Sequence, residues 1–183
     1  MRLPTAFFAF ASFALHAQQP PAPAIAADQQ IVVMFNRLSQ HALRIQPMLE
    51  QVRPADWVSK GAAETYVTQL TSARQQIQAI QTDLADLTQH PDPLQDCLKA
   101  LFRIQGFHRS LDSLMAGLRR YQNPALADLI VSVAAEDQAD LEQLQNYILD
   151  LANQKDQEYL VVDREAQRCR ATISREPARR TNQ

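Results

Sequence analysis

Apolar residues recur every three or four positions along four successive segments of this chain, and this spacing constrains the fold more than any other feature of the sequence. Such spacing places apolar side chains on one face of an α-helix, which must be buried against other helices. The stripes are Ile31, Phe35, Leu38, Ala42, Ile45, Leu49 and Val52; Tyr66, Leu70, Ala73, Ile77, Ile80, Leu84 and Leu87; Leu94, Cys97, Leu101, Ile104, His108, Leu111, Met115 and Leu118; and a fourth that runs from Leu126 to Ile173. The sequence therefore predicts an all-α, antiparallel bundle of about four helices with coiled-coil-like heptad seams.

Proline-containing segments separate the four stripes. The segment from Arg53 to Trp57 predicts a corner, with Trp57 as a lid on the core, and the segment from His90 to Pro93 ends the second helix. Asn123 precedes a proline, as expected of a residue that caps the start of a helix. We therefore expect short connections between neighbouring antiparallel helices.

The fourth stripe is too long for a simple four-helix bundle. At 1.5 Å per residue a straight helix over 124–174 would be roughly 75 Å long, against roughly 40 Å for each of the others. Its first polar member is Asp137. We therefore expect the last helix to be broken near residues 135–138.

The first 17 residues have the pattern of a secretory signal peptide: one arginine, an apolar run from Ala6 to Leu15, and small residues before a cleavage point at Ala17. Residues 18–27, rich in Pro, Ala and Gln, predict a flexible lead-in; residues 28–174 form the predicted bundle domain, and 175–183 a disordered, Arg-rich tail. We expect a periplasmic or secreted protein that does not span a membrane after cleavage, because no later segment approaches 18 continuous apolar residues.

Export makes a disulfide between the two cysteines, Cys97 and Cys169, the most direct pairing. Two separate buried thiols and an intermolecular bridge are the alternatives. In a plain hairpin around Asn123 the two residues would differ in level by roughly 30 Å, whereas a disulfide requires Cα atoms within about 7 Å. An internal bond thus depends on the predicted break.

Few residues have a pattern typical of catalysis or cofactor binding. Three glycines leave almost no material for phosphate-binding loops or nucleophile elbows, and no Glu-x-x-His pair suggests a metal centre. His108 is the one histidine placed centrally on an apolar face. It is a candidate haem ligand, and the simpler interpretation is a core histidine that forms a hydrogen bond with a neighbouring carbonyl or Gln. The carboxylates Glu136, Asp137 and Asp140 are expected on a solvated helix face or in the N-terminal turn of a helix, where they complement the helix dipole.

Charge also restricts the partners of this chain. Its net charge of −2 predicts no binding to nucleic acid, although residues 164–183 carry six Arg against two Glu. That basic segment is a candidate for contact with an envelope component. Glutamines such as Gln75 and Gln143 on the outward, polar faces of the helices are candidates for recognition of another coiled coil, and the sequence leaves a homo-oligomer open.

These observations predict an exported, non-enzymatic helical-bundle protein, without cofactor or metal, that acts by contact with another protein. The alternative is a bundle that binds haem, a metal ion or an apolar small molecule near His108.

Overall fold

The computed structural model describes the backbone of residues 24–175 and the side chains of residues 29–173. Within this range the chain is all-α, with no strand, as predicted. The elements are α1 (Ala24–Leu49), α2 (Pro54–Val58), α3 (Thr65–Gln89), α4 (Leu94–Tyr121), α5 (Pro124–Ala134), a 3₁₀ turn (Ala135–Asp137) and α6 (Gln138–Arg175). The predicted signal peptide and residues 176–183 lie outside the described residues. Helix α1 begins inside the predicted lead-in, so residues 24–27 of that segment are helical.

The long helices pack in chain order around one core. Helix α1 packs against α3, α3 against α4, α4 against α5 and α6, and both α5 and α6 also pack against α1, which closes the ring. Because the connections are short, α1, α3, α4 and the continuous pair α5–α6 run antiparallel to their neighbours in the chain. The predicted antiparallel bundle is therefore confirmed, with α5 and α6 together taking the place of its fourth helix.

The predicted stripes form the core along the length of the bundle. Phe35 on α1, Ile77 on α3, Leu114 on α4 and Leu144 on α6 are completely buried. Each belongs to a different helix, so the four apolar faces meet along one axis, as expected when amphipathic helices hide their apolar sides together.

The predicted corner contains a short helix, α2, and Trp57 on this helix closes one end of the core, as the sequence predicts. The Trp57 side chain is completely buried, and its ring centroid lies 5.5 Å from that of Tyr66 and 6.3 Å from that of Tyr121. Its indole Nε1 donates a hydrogen bond of 3.0 Å to Oε1 of Gln122. At the start of α5, the backbone N–H of Leu126 donates to the side chain of Asn123, which confirms that residue as a helix cap.

The last long helix is broken at the predicted place. Between α5 and α6 the hydrogen bonding changes to a 3₁₀ turn over Ala135–Asp137, while Ala135 keeps helical dihedral angles (φ −79°, ψ −11°). No loop separates the two helices, so the break changes the helical hydrogen-bonding pattern without reversing the direction of the chain.

Helix α6 continues well beyond the end of the bundle. The Tyr147 hydroxyl donates to the backbone carbonyl of Pro91, in the connection between α3 and α4, at 2.9 Å. Leu151 is the last buried residue among the described side chains of α6. From Asn153 to Ile173 every side chain except the half-buried Asp163 is exposed. We call residues 152–175 the overhang; it is about 36 Å long at 1.5 Å per residue.

The predicted internal disulfide is not formed. Cys97 is a buried free thiol on α4, and Cys169 is an exposed free thiol on the overhang. Tyr147 lies level with Pro91, so Cys169 is 22 residues farther along α6, or about 33 Å. The break changes only the hydrogen bonding of the helix, so it does not turn α6 back toward Cys97.

None of the helices in the described part of the chain is both long enough and apolar enough to cross a bilayer.

Candidate functional site

Two histidines and one carboxylate meet at the break in the last helix. Asp137, at the end of the 3₁₀ turn, is 4% exposed, and its Oδ2 atom lies 3.2 Å from Nε2 of His108 on α4. The same Oδ2 lies 3.9 Å from Nε2 of His41 on α1, and His41 is 5% exposed. We call these three residues the His–Asp cluster. They join three helices that are far apart in the sequence.

The protonation of His41 follows from its contacts. Nη2 of Arg44 lies 2.9 Å from Nδ1 of His41, and a guanidinium can only donate, so Nδ1 accepts and the ring proton is on Nε2. Burial lowers the pKa of His41, the nearby Asp137 carboxylate opposes this shift, and the charge of Arg44 adds to it. His41 is therefore neutral near pH 7, and its buried Nε2 lies 3.9 Å from Asp137 without forming a hydrogen bond to a described residue.

Little space remains inside the His–Asp cluster. His41, His108 and Asp137 line a cavity of about 10 Å³ together with apolar residues such as Ile45 and Phe107. A cavity of that size holds about one water molecule, whereas pockets for small organic ligands have volumes of roughly 300–1,000 Å³. In this conformation the cavity does not accommodate a haem group.

A shallow surface groove lies beside the cluster, between α1 and the start of α6. Its volume is about 420 Å³, and His41 is at its floor. The two arginines on its wall already have partners: Arg44 Nη2 lies 2.7 Å from Oε2 of Glu136, and Arg37 Nε lies 2.8 Å from Oδ1 of Asp140. The charged side chains of the groove thus pair with one another, and these ion pairs hold α1 to the 3₁₀ turn and to the start of α6.

The structure changes two expectations about this region. Asp137 is not on a solvated face, because its position in the apolar stripe of the last helix directs it into the core. The partner of His108 is this carboxylate, not a carbonyl or Gln, and His108 is 27% exposed. Glu136 and Asp140 do lie near the surface, where each pairs with an arginine.

Sequence reasoning missed His41, which lies at the edge of its stripe. The signal that could have found the cluster was Asp137 itself: a carboxylate at a core position of a helix needs a polar partner on a facing helix. Among the described residues no group of three or more His, Cys, Asp or Glu side chains has an arrangement suited to a metal ion.

The overhang is the second notable feature. Its residues Tyr159, Val162 and Ile173 are 71%, 66% and 72% exposed. They belong to the same stripe whose earlier members, up to Leu151, form the core of the bundle. Apolar residues at helical spacing form a stripe that normally faces another helix.

Cys97, unlike the exposed Cys169 on the overhang, is buried. The buried environment of Cys97, with smaller contributions from Asp96 and Asp92, raises the pKa of its thiol to about 11. Its Sγ also donates to the backbone carbonyl of Pro91 at 3.4 Å. Cys97 is therefore a protonated, unreactive core thiol at neutral pH.

Together the fold and these features define an all-α antiparallel bundle with a buried His–Asp cluster and an uncovered helical extension. No family model, curated protein or solved structure matches the chain.

Proposed function

We propose that this protein is a non-enzymatic helical-bundle protein, exported to the periplasm or beyond the cell, that acts by contact with another protein through its overhang. The single observation that carries the proposal is the exposure of the coiled-coil-like stripe after Leu151. The side chains of Tyr159, Val162 and Ile173 are each about two-thirds or more in contact with solvent, although their spacing matches that of the buried stripe.

Physical chemistry supports a contact role for this helix. Helix-in-groove and coiled-coil recognition both use apolar anchors at spacings of three and four residues on one helix face. The rest of the described surface offers isolated apolar side chains, such as Phe102 on α4 and Leu129 on α5. Scattered exposed apolar residues are normal on soluble proteins, whereas a continuous row of them marks an interaction site.

The expected export rests on residues 1–17, whose pattern is that of a signal peptide. Export is tested by the mass of the protein recovered from the periplasm or the medium. A mass that corresponds to residues 18–183 supports the proposal, whereas a full-length protein retained in the cytoplasm contradicts it.

Site-specific photo-crosslinking in living cells tests the contact role. A photoreactive amino acid is placed at position 162 on the overhang and, as the matched control, at position 129 on the bundle, where Leu129 is 52% exposed. We expect defined protein adducts from position 162 and none from position 129. Equal yields from both positions, or no adduct from position 162, would show that the overhang is not the contact surface.

A further inference from the structure

The exposed stripe of the overhang matches itself when a second copy is placed antiparallel to it. The stripe residues Tyr159, Val162, Ala166, Cys169 and Ile173 are separated by three, four, three and four positions. Consider an antiparallel pair whose two-fold axis passes beside residue 164 of both copies. Two residues then face each other when their numbers add up to 328. Val162 then faces Ala166 of the second copy, and Tyr159 faces Cys169. These two layers each combine a larger side chain with a smaller one, which permits close packing. Ile173 faces Lys155, the polar member of the stripe, whose carbon stem covers the isoleucine while its ammonium group reaches solvent.

We propose that the partner of the overhang is the overhang of a second copy of this chain, and that the two form an antiparallel, two-stranded coiled coil. The proposal rests on the proposed function, because it names the protein that the overhang contacts. Such a pair has two-fold symmetry and uses the same surface of both copies, so it closes as a dimer.

The charge of the overhang favours the antiparallel arrangement. Residues 152–163 contain Lys155 against Asp156, Glu158 and Asp163, a net charge of −2, whereas residues 164–175 contain four Arg against Glu165, a net charge of +3. An antiparallel pair places each acidic half beside a basic half. A parallel pair would place like charges together, which is unfavourable.

Flanking residues add one specific contact toward each end of the seam. In this register Asp156 of one copy lies beside Arg170 of the other, and the two-fold symmetry repeats the contact. Asp163 and Glu165, on opposite faces of the seam, each lie near their own copy at the axis, which opposes pairing. Asp163 already accepts a hydrogen bond of 2.8 Å from Gln167 of the same chain, and Glu165 pairs with Arg168 at 2.6 Å. The net balance of the two halves remains attractive.

The length of the overhang agrees with the register found from the stripe. If facing residue numbers add up to 328, Leu151, the last buried residue among the described side chains of α6, lies level with residue 177 of the second copy. All stripe residues from Lys155 to Ile173 then face one another, because 155 and 173 also add up to 328.

The oligomeric state of the purified chain is the first test. We expect sedimentation equilibrium to show a dimer, and Val162→Asp to raise its dissociation constant at least about tenfold, because the substitution puts a charge into an apolar seam. Leu129→Asp, on the bundle, is the matched control and should leave the dimer unchanged. Both variants should keep the native circular dichroism spectrum, since neither residue is in the core. The proposal is overturned if the chain is still a monomer at 100-fold the concentration used in the disulfide crosslinking experiment below.

Disulfide crosslinking tests the direction of the helices. With the single new cysteine Tyr159→Cys, mild oxidation should link position 159 of one copy to Cys169 of the other. The control Gln157→Cys, on the outer face of the helix, should give no such link. In the unmodified chain Cys169 should not crosslink to Cys169 of the second copy. The two residues are offset by ten residues along the helix axis, or about 15 Å, which is too far for a disulfide. Efficient Cys169 to Cys169 crosslinking would show a parallel pair and overturn the antiparallel proposal.

Failure of this inference is distinguishable from failure of the proposed function. If the chain is a monomer but position 162 crosslinks to a different protein, the contact role stands and self-pairing is wrong. If position 162 links to the part of its own chain before Ala24, the overhang is covered from within, and both proposals are wrong.

Discussion

Nε2 of His108 on α4 lies 3.2 Å from Oδ2 of Asp137, the last residue of the 3₁₀ turn. Truncation by Asp137→Ala removes the buried carboxylate that is 3.2 Å from Nε2 of His108 and 3.9 Å from Nε2 of His41. We expect a loss of about 1–3 kcal/mol in the free energy of unfolding, the usual cost of stranding buried polar groups. Denaturant unfolding measures it. The control Asp128→Ala, at a carboxylate 67% exposed, should change stability by less than about 0.5 kcal/mol; a similarly small effect at Asp137 would contradict a structural role for the cluster.

Acidification should destabilise the fold through His41. Burial lowers the pKa of His41 below its ordinary value of 6.5, so below pH 6.5 the unfolded chain binds more protons at this residue than the folded chain does. The stability contributed by neutral His41 is thus fully present above pH 6.5 and is lost as the pH falls toward the lowered folded-state pKa. Melting temperatures between pH 7.5 and 5.5 should fall less steeply for His41→Gln than for the unmodified protein. His90→Gln, at an exposed histidine, should leave the slope unchanged.

Truncation to alanine should distinguish the buried apolar side chains of the helices from the exposed ones. Ile77→Ala and Leu144→Ala each remove a completely buried side chain, and we expect each to cost about 2–5 kcal/mol. Leu149→Ala, on the same helix as Leu144 but 61% exposed, should cost less than about 1 kcal/mol. Chemical denaturation of the three variants provides the comparison. Equal losses at positions 144 and 149 would mean that the described face of α6 is not the buried one.

Two glycines in α4 should respond in opposite directions to alanine. A Cβ at Gly117 would lie 2.7 Å from Cε1 of Tyr66 and 2.9 Å from Cζ3 of Trp57, so Gly117→Ala should destabilise the protein by about 1–3 kcal/mol. At Gly106 the nearest atom, Nη2 of Arg109, is 4.0 Å away. Gly106→Ala should therefore stabilise the helix by about 0.5–1 kcal/mol. Thermal unfolding of both variants tests the close approach of α4 to the aromatic residues beside α2. Stabilisation by Gly117→Ala would contradict it.

The local part of the fold was predictable from the sequence. Helix faces follow from the spacing of apolar residues, and helix ends follow from Asn123, Pro54 and the proline pair before α4, because each acts on its own turn of backbone. The break near Asp137 was predictable for a related reason: the length of the last stripe, compared with the others, required it.

The candidate site was only partly predictable. His108 was recognised from its central place on α4, but its partner was not, because the contact to Asp137 joins residues that are 29 positions apart in sequence. His41 is farther still from both, and its burial depends on how closely α1 approaches the 3₁₀ turn. Such contacts depend on the relative levels of neighbouring helices, which no single stripe determines.

The sequence by itself thus determined the helices, their apolar faces and the places where they end, since these depend on interactions within a few residues. Only the tertiary structure decided which side chains meet at the His–Asp cluster, why Cys97 and Cys169 stay apart, and where the last stripe ceases to be covered. The physical reason is that the stripe keeps the same spacing on both sides of Leu151, whereas its cover ends where the neighbouring helices turn. The position of that boundary is a property of the whole bundle.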